Sequence, residues 1–437
     1  MSCTAPPRRH PAASSRRRVL AALSALPLLA IGVCCTAAGA VAEDRASRLA
    51  RFHDRPIRGV CGGARLADAA TRGVDAVRTY GIPTAAELDR YHALGLRVIV
   101  GHWMPHEGRN VGKEGWPWEH SYEKSAEKMD REFTAIVERI GGHPAILMWS
   151  LGNEVHLEPH YLRQADRLSR ILHARHPDVP TSLTMVNAPA ESIALVREHA
   201  PDIDVIGANV YGAGAVTTAI TSLHEHWGRP FYFSEFGPTG PWWGPQTSWG
   251  ERFEPGATAK AADLSRAWER IAAAEHCLGG CMFMWGRWPR ERISYFSMLL
   301  TEDPWSQSPG DADFRFTPLA DEMARLWTGS PPARRAPRID RLEIDGQTQR
   351  DVIVAAGDAF QATAAVADSD RPLRYRWWIA RQDERGFRPV VGPVDTDAPA
   401  ATLTAPNEPG SALFLFCLTL DADDGACATT LPFKTAD

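Results

Sequence analysis

Between Pro56 and Gly329 the sequence repeats one pattern eight times, a short apolar run followed by a longer charge-bearing stretch. The runs are Ile57–Cys61, Val74–Thr79, Leu96–Gly101, Ala145–Leu151, Thr181–Met185, Ile203–Val210, Pro230–Ser234 and Gly280–Trp285. Their continuous Val, Ile, Leu and aromatic content is that of strands buried on both faces. Between them, Tyr122–Ile140, Tyr161–Arg175 and Ala257–Ala274 place apolar residues at three- and four-residue spacing, which predicts amphipathic helices, and Pro318–Trp327 predicts a last one. Eight strand–helix units in this span imply an α/β fold, a closed (β/α)8 TIM barrel over residues 50–329. An open doubly wound sheet also alternates, but no Gly-rich phosphate loop follows the first strand.

The Pro- and Arg-rich stretch 330–338 breaks the pattern, and beyond it the period becomes two. Phe360–Val366, Leu373–Ile379 and Ala412–Leu418, separated by Asp, Gly and Pro turns, predict a small all-β immunoglobulin-like or PKD-like sandwich over 339–437. Asp368 and Asp370 fit a solvated turn of such a module better than a calcium site.

Residues 1–42 are expected to be an export signal. Arg16-Arg17-Arg18 precedes an apolar run from Val19 to Val33, and Ala40-Val41-Ala42 is an A-x-A cleavage site. Ser15-Arg-Arg-Arg-Val-Leu20 also resembles a twin-arginine signal. If uncleaved, the segment is long enough to anchor the chain in a membrane; a lipoprotein reading through Cys34 is disfavoured by the bulky Val33 before it. Either way the body of the protein is expected outside the cytoplasm, periplasmic or extracellular. A net charge of −5 gives no basic footprint for nucleic acid.

Barrel active sites lie where strands end and βα loops begin. Strand four delivers Asn153-Glu154 to that end and strand seven delivers Glu235, although glutamate is a poor strand former. Two carboxylates across one pocket suit glycosidic bond cleavage, one protonated to release the leaving oxygen and one ionised to attack or to activate water.

The segments Trp149-Ser-Leu-Gly-Asn-Glu154 and Phe233-Ser-Glu-Phe-Gly237 resemble the acid/base and nucleophile motifs of glycoside hydrolase clan A, most closely the family 2 catalytic barrel. Arg58-Gly-Val60 and Val74-Asp-Ala-Val-Arg-Thr79 are similar to that family's first two strands. The resemblance covers about 55–300 and implies a retaining enzyme acting on a β-linked oligo- or polysaccharide, by hydrolysis or transglycosylation, without a cofactor. It implies Glu154 as acid/base and Glu235 as nucleophile. Asn153 would hold a sugar hydroxyl, Arg78 would lie beneath the nucleophile, Tyr211 would hydrogen-bond it, and Trp285 would floor the subsite of the attacked sugar. Family 2 enzymes usually carry sandwich domains before the barrel; a barrel followed by an immunoglobulin-like domain looks more like clan A endo-β-glucanases. The rival from another class is a non-catalytic carbohydrate-binding or cell-surface protein on a degenerate barrel.

Fifteen tryptophans are an unusual number, and Trp103, Trp116, Trp118, Trp242, Trp243 and Trp249 fall in loops, as an open multi-subsite cleft requires. His102 and His106 follow strand three; they read as hydrogen-bonding loop residues, with His102 in reach of substrate, rather than as metal ligands. Cleavage would leave Cys61, Cys277, Cys281, Cys417 and Cys427, an odd number. Cys417 and Cys427 flank a turn and are candidates to bridge neighbouring strands, and the Cys277/Cys281 spacing is not a zinc pattern.

Overall fold

The structure, a computed structural model, describes residues 44–52, 56–104, 122–155, 157–287, 293–306, 309–348, 351–367, 371–383 and 386–437. The expected export signal (residues 1–42), His106, Trp116, Trp118, Asp368 and Asp370 lie outside the described residues. Among those residues no helix is long and apolar enough to cross a membrane.

Eight parallel strands close into a barrel: β1 (Ile57–Cys61), β2 (Ala76–Arg78), β3 (Arg97–His102), β4 (Ile146–Asn153), β5 (Thr181–Val186), β6 (Val205–Tyr211), β7 (Phe231–Gly237) and β8 (Cys277–Met282). Each predicted apolar run supplies one strand. Helix Tyr122–Ile140 spans the predicted range, and Pro159–His173, Ala257–Ala273 and Pro318–Thr328 lie within two residues of theirs. Two of these helices carry Pro at the first turn, where a missing N–H costs nothing. Strand eight differs: it begins at Cys277 and stops at Met282, so Phe283 and Trp285 belong to the loop beyond it.

The core has two layers. Outside the strands, Val98, Trp149, Leu183, Ile206 and Phe233 pack against helix residues such as Phe133, Leu168 and Leu264. Inside the barrel, Ile57, Ile99, Met148, Tyr232 and Cys281 fill the bore, and Leu49 and Phe52 join them from the segment before β1. The bore also carries hydroxyls, with Ser182 Oγ 3.3 Å from Tyr232 Oη and Ser150 Oγ 3.2 Å from Thr184 Oγ1. Gly207 makes room for this layer, because a Cβ there would lie 2.8 Å from Thr184 Oγ1 and 2.9 Å from Ser234 Oγ.

After a small hairpin of β9 (Leu299–Thr301) and β10 (Phe314–Phe316), the chain enters an all-β sandwich. One sheet has three strands, β11 (Arg338–Ile344), β13 (Ala359–Ala367) and β16 (Ala400–Thr404). The other orders β12 (Ile353–Val354), β18 (Ala426–Thr435), β17 (Ala412–Asp421), β14 (Leu373–Asp383) and β15 (Gly386–Thr396). Period two explains the partition of β14. Trp377 enters the core between the sheets with Leu415 and Phe433, whereas Trp378 leaves on the other face with Phe416 and Leu418. That other face is also covered, by Leu300 and Trp305 of the barrel's last loop.

The candidate Cys417–Cys427 bridge does not form; the five cysteines among the described residues are free. Cys417 stands opposite Thr429 and Cys427 opposite Thr419, so the two thiols are diagonal neighbours. Diagonal positions in an antiparallel pair are about 7–8 Å apart, outside the span a disulfide bridges.

Candidate active site

The ends of β2 and β6 converge on Glu235 of β7. The residue is 5% exposed near the end of β7. Arg78, which ends β2 and is 1% exposed, donates from Nη1 to Glu235 Oε1 at 2.8 Å. The Tyr80 hydroxyl donates to the same oxygen at 2.8 Å, and the Tyr211 hydroxyl, from the end of β6, donates to Oε2 at 2.6 Å. Burial, first, and then neighbouring negative charge including Glu235 push both phenols well above their usual range, so they keep their protons and act as donors. Arginine has no acceptor to offer. Glu235 therefore faces donors only, each charge-assisted bond contributing about 1.5–3 kcal/mol.

Glu154 sits differently. It is exposed, one residue past the end of β4, and its backbone is left-handed with φ 49°. A non-glycine residue held there is uncommon and characteristic of functional sites. The pairing of β4 with β5 slips between Ser150 and Asn153, and that of β6 with β7 slips between Gly207 and Asn209. Such bulges re-aim the side chains that follow them. Asn209 Nδ2 donates to Glu154 Oε1 at 2.8 Å and to Asn153 Oδ1 at 3.1 Å, while Ser234 Oγ donates to Asn209 Oδ1 at 2.7 Å. Asn153 Oδ1 also accepts from Arg78 Nη2 at 2.7 Å. The two glutamates are thus joined through Arg78, Asn153 and Asn209.

The structure brings Arg78, Asn153, Glu154, Tyr211 and Glu235 together as the sequence places them. Trp285 requires correction. It is 0% exposed and its indole N–H donates to the Ala64 carbonyl, so its ring offers no face to a ligand. Gly62, at φ 121°, admits this packing, since a Cβ there would lie 2.0 Å from the Trp285 carbonyl oxygen. The aromatic beside Tyr211 on this strand end is Phe283, with ring centroids 5.9 Å apart. Phe296 completes the cluster at 4.8 Å from Tyr211, and Trp242 meets Tyr211 edge-on at 5.4 Å. Trp242 is 45% and Trp103 50% exposed.

His102 ends β3 with its ring 4.8 Å from Phe133. Burial pushes its imidazole down to about 4, so it is neutral near pH 7. Among the described residues its Nε2 has no hydrogen-bond partner. Tyr80 and Asn209 were not singled out by sequence reasoning. A signal for Tyr80 existed: it lies two residues beyond Arg78, the spacing that returns a side chain to the same strand face. Asn209 had the same relation to Tyr211. Among the described residues no three His, Cys, Asp or Glu side chains converge as a metal site requires.

No family model matches the chain, and no curated protein does. Solved structures similar to it include a β-glucuronidase from Ruminococcus gnavus, 14% identical over 63% of this chain and 50% of that one, with a TM-score of 0.45. A GH2 β-galacturonidase from Eisenbergiella tayi is 14% identical over 63% of this chain and 51% of its own, TM-score 0.44. The GH53 catalytic domain of Ignisphaera aggregans is 13% identical over 65% of this chain and 94% of its own, TM-score 0.44. The chain spans about half the length of the first two. The barrel is established by its own strand pairing.

Proposed function

We propose that this chain is a retaining glycoside hydrolase that cleaves a β-linked glycan by double displacement. The observation that carries this reading is the unequal setting of two glutamates at neighbouring points of one barrel mouth. Glu235 is buried among three donors, and Glu154 is exposed beside Asn209.

Donors on both oxygens hold the Glu235 carboxyl group in place and orient its lone pairs. In the first step a Glu235 oxygen bonds to the anomeric carbon as the glycosidic C–O bond breaks, and the proton of Glu154 passes to the leaving oxygen. In the second, Glu154 takes a proton from water, the water oxygen bonds to the anomeric carbon, and the Glu235 ester bond breaks. A sugar hydroxyl in place of water gives transglycosylation. Departure of the leaving group and entry of the attacking water suit the exposed position of Glu154, and general acid–base catalysis of this kind contributes about 10²–10⁴-fold. The hydrogen bonds Glu154–Asn209–Asn153–Arg78–Glu235 tie both carboxyl groups into one network, and the likeness of the two glutamate motifs to clan A favours direct attack over an intervening water. Exposed Trp103, Trp242 and Trp243 near the mouth favour a multi-subsite cleft of the endo-β-glucanase kind. The signal-like segment 1–42 favours action outside the cytoplasm.

The test is turnover across a panel of β-glucans, mannans, galactosides and uronosides, followed by Glu235→Ala on the best substrate. Turnover should vanish and return with azide as a glycosyl azide of inverted configuration. Full activity in the variant, or binding of glycans by the wild type without any product, rejects the proposal; the latter result identifies a carbohydrate-binding protein.

A further inference from the structure

The loops after β7 and β8 frame Glu235, and both are fastened to the C-terminal sandwich. The β7 loop, residues 238–256, carries exposed Trp242 and Trp243 on its near limb. Its far limb runs into the sandwich. Ser248 N–H donates to Asp351 Oδ1 at 2.7 Å, Phe253 packs on the core between the two sheets, and Thr258 N–H donates to Asp340 Oδ1 at 2.9 Å. A Cβ at Gly256 would lie 2.2 Å from the Asp340 carbonyl oxygen, so the two backbones meet directly.

At the centre of this junction is Glu254, whose side chain is fully buried. Its Oε1 accepts from Lys260 Nζ at 2.7 Å. Its Oε2 accepts from Ser294 Oγ at 2.7 Å and from Thr430 Oγ1 on β18 at 2.8 Å. Lys260 Nζ also donates to the Ser294 carbonyl at 3.0 Å, and the Tyr295 hydroxyl to the Phe253 carbonyl at 3.1 Å. Phe296, two residues beyond Ser294, lies 4.8 Å from Tyr211 and 5.8 Å from Trp242, ring to ring. A buried ion pair is weak evidence for stability, because desolvation offsets much of its attraction. Its geometric demands are strict, however, and this pair ties the β7 loop, the β8 loop and the sandwich to one point.

We infer that the sandwich is a working part of the active face: through Thr430 and Glu254 it sets the position of the loop bearing Trp242 and Trp243, and Glu254 is a positioning residue for the subsites beyond the attacked sugar. This rests on the proposed glycosidase reading only for its kinetic consequence. A tethered accessory domain would leave the loop unchanged on loss of one contact; a positioning domain would not.

The test uses full-length Thr430→Val, which removes one hydroxyl at constant volume, with Thr430→Ser as the conservative control. In Thr430→Val, amide hydrogen exchange over residues 242–253 should accelerate about tenfold, whereas exchange in β1–β8 should not change. With the best pentasaccharide of the cello-, laminari- and manno-series, KM should rise about fivefold and kcat change less than about twofold. A small aryl glycoside of the same sugar should show wild-type kinetics, and Thr430→Ser should match wild type throughout. Unchanged loop exchange and unchanged pentasaccharide KM in Thr430→Val overturn the inference, whatever happens to Tm. If the wild type cleaves no glycan, the functional proposal fails and the exchange comparison still decides the inference.

Discussion

Tyr80 and Tyr211 hold opposite oxygens of Glu235, Tyr80 donating to Oε1 at 2.8 Å and Tyr211 to Oε2 at 2.6 Å. Oε1 also takes the Arg78 guanidinium, so the two oxygens are not equivalent. The oxygen with the single neutral donor retains more electron density, which in the proposed double displacement makes Oε2 the better placed to attack.

Tyr80→Phe and Tyr211→Phe should each lower kcat/KM, by about 10–100-fold if each bond is of the charge-assisted kind. Wild-type kcat/KM in Tyr80→Phe would show that its contact with Oε1 does not act on Glu235.

Asn209 aims Glu154 rather than Glu235. Asn209→Ala should therefore hurt substrates that need a proton more than those that do not. A loss of about 10²-fold is expected with alkyl or sugar leaving groups and a much smaller one with dinitrophenyl glycosides, whose departure needs little acid assistance. Equal losses for both leaving groups count against Glu154 as the acid.

At the other end of the barrel, His173 Nδ1 is 2.9 Å from Asp202 Oδ2 and its Nε2 is 3.1 Å from Asp204 Oδ2, off the line of a hydrogen bond. Arg48 pairs with Asp204 at 2.9 Å. Burial works against charge on all three titrating groups. The His173–carboxylate contacts outweigh it, raising His173 above its ordinary 6.5 and holding Asp202 and Asp204 below their ordinary 3.8. The imidazolium's contribution to stability is complete below 6.5 and is lost as pH rises through the raised value. That of the carboxylates is complete above 3.8 and is lost as pH falls through the lowered values. Tm should be greatest between these limits, and His173→Gln should flatten its alkaline fall. An equally steep fall in that variant places the titration elsewhere.

Trp285→Ala should destabilise the fold by about 3–5 kcal/mol, the cost of emptying a large buried aromatic site. Trp285→Phe, milder in volume, should leave KM for a small aryl glycoside near the wild-type value. A several-fold rise in KM with unchanged urea midpoint would return Trp285 to the ligand site.

The sequence by itself determined the alternation of strands and helices, the change of period at the second domain, and the two glutamates at the ends of strands four and seven. These are local properties: an apolar run records whether a strand is covered, and a polar residue at its end records where the cover stops. Tertiary structure decided what joins those glutamates and what surrounds them. Arg78 reaches Glu235 across 157 positions and Asn209 reaches Glu154 across 55, and both contacts depend on barrel closure and strand register, which no single segment encodes. The same holds for Trp285 and for β14. Whether an aromatic faces ligand, core or a second domain depends on what packs against it, and apolar character alone reads the same in all three.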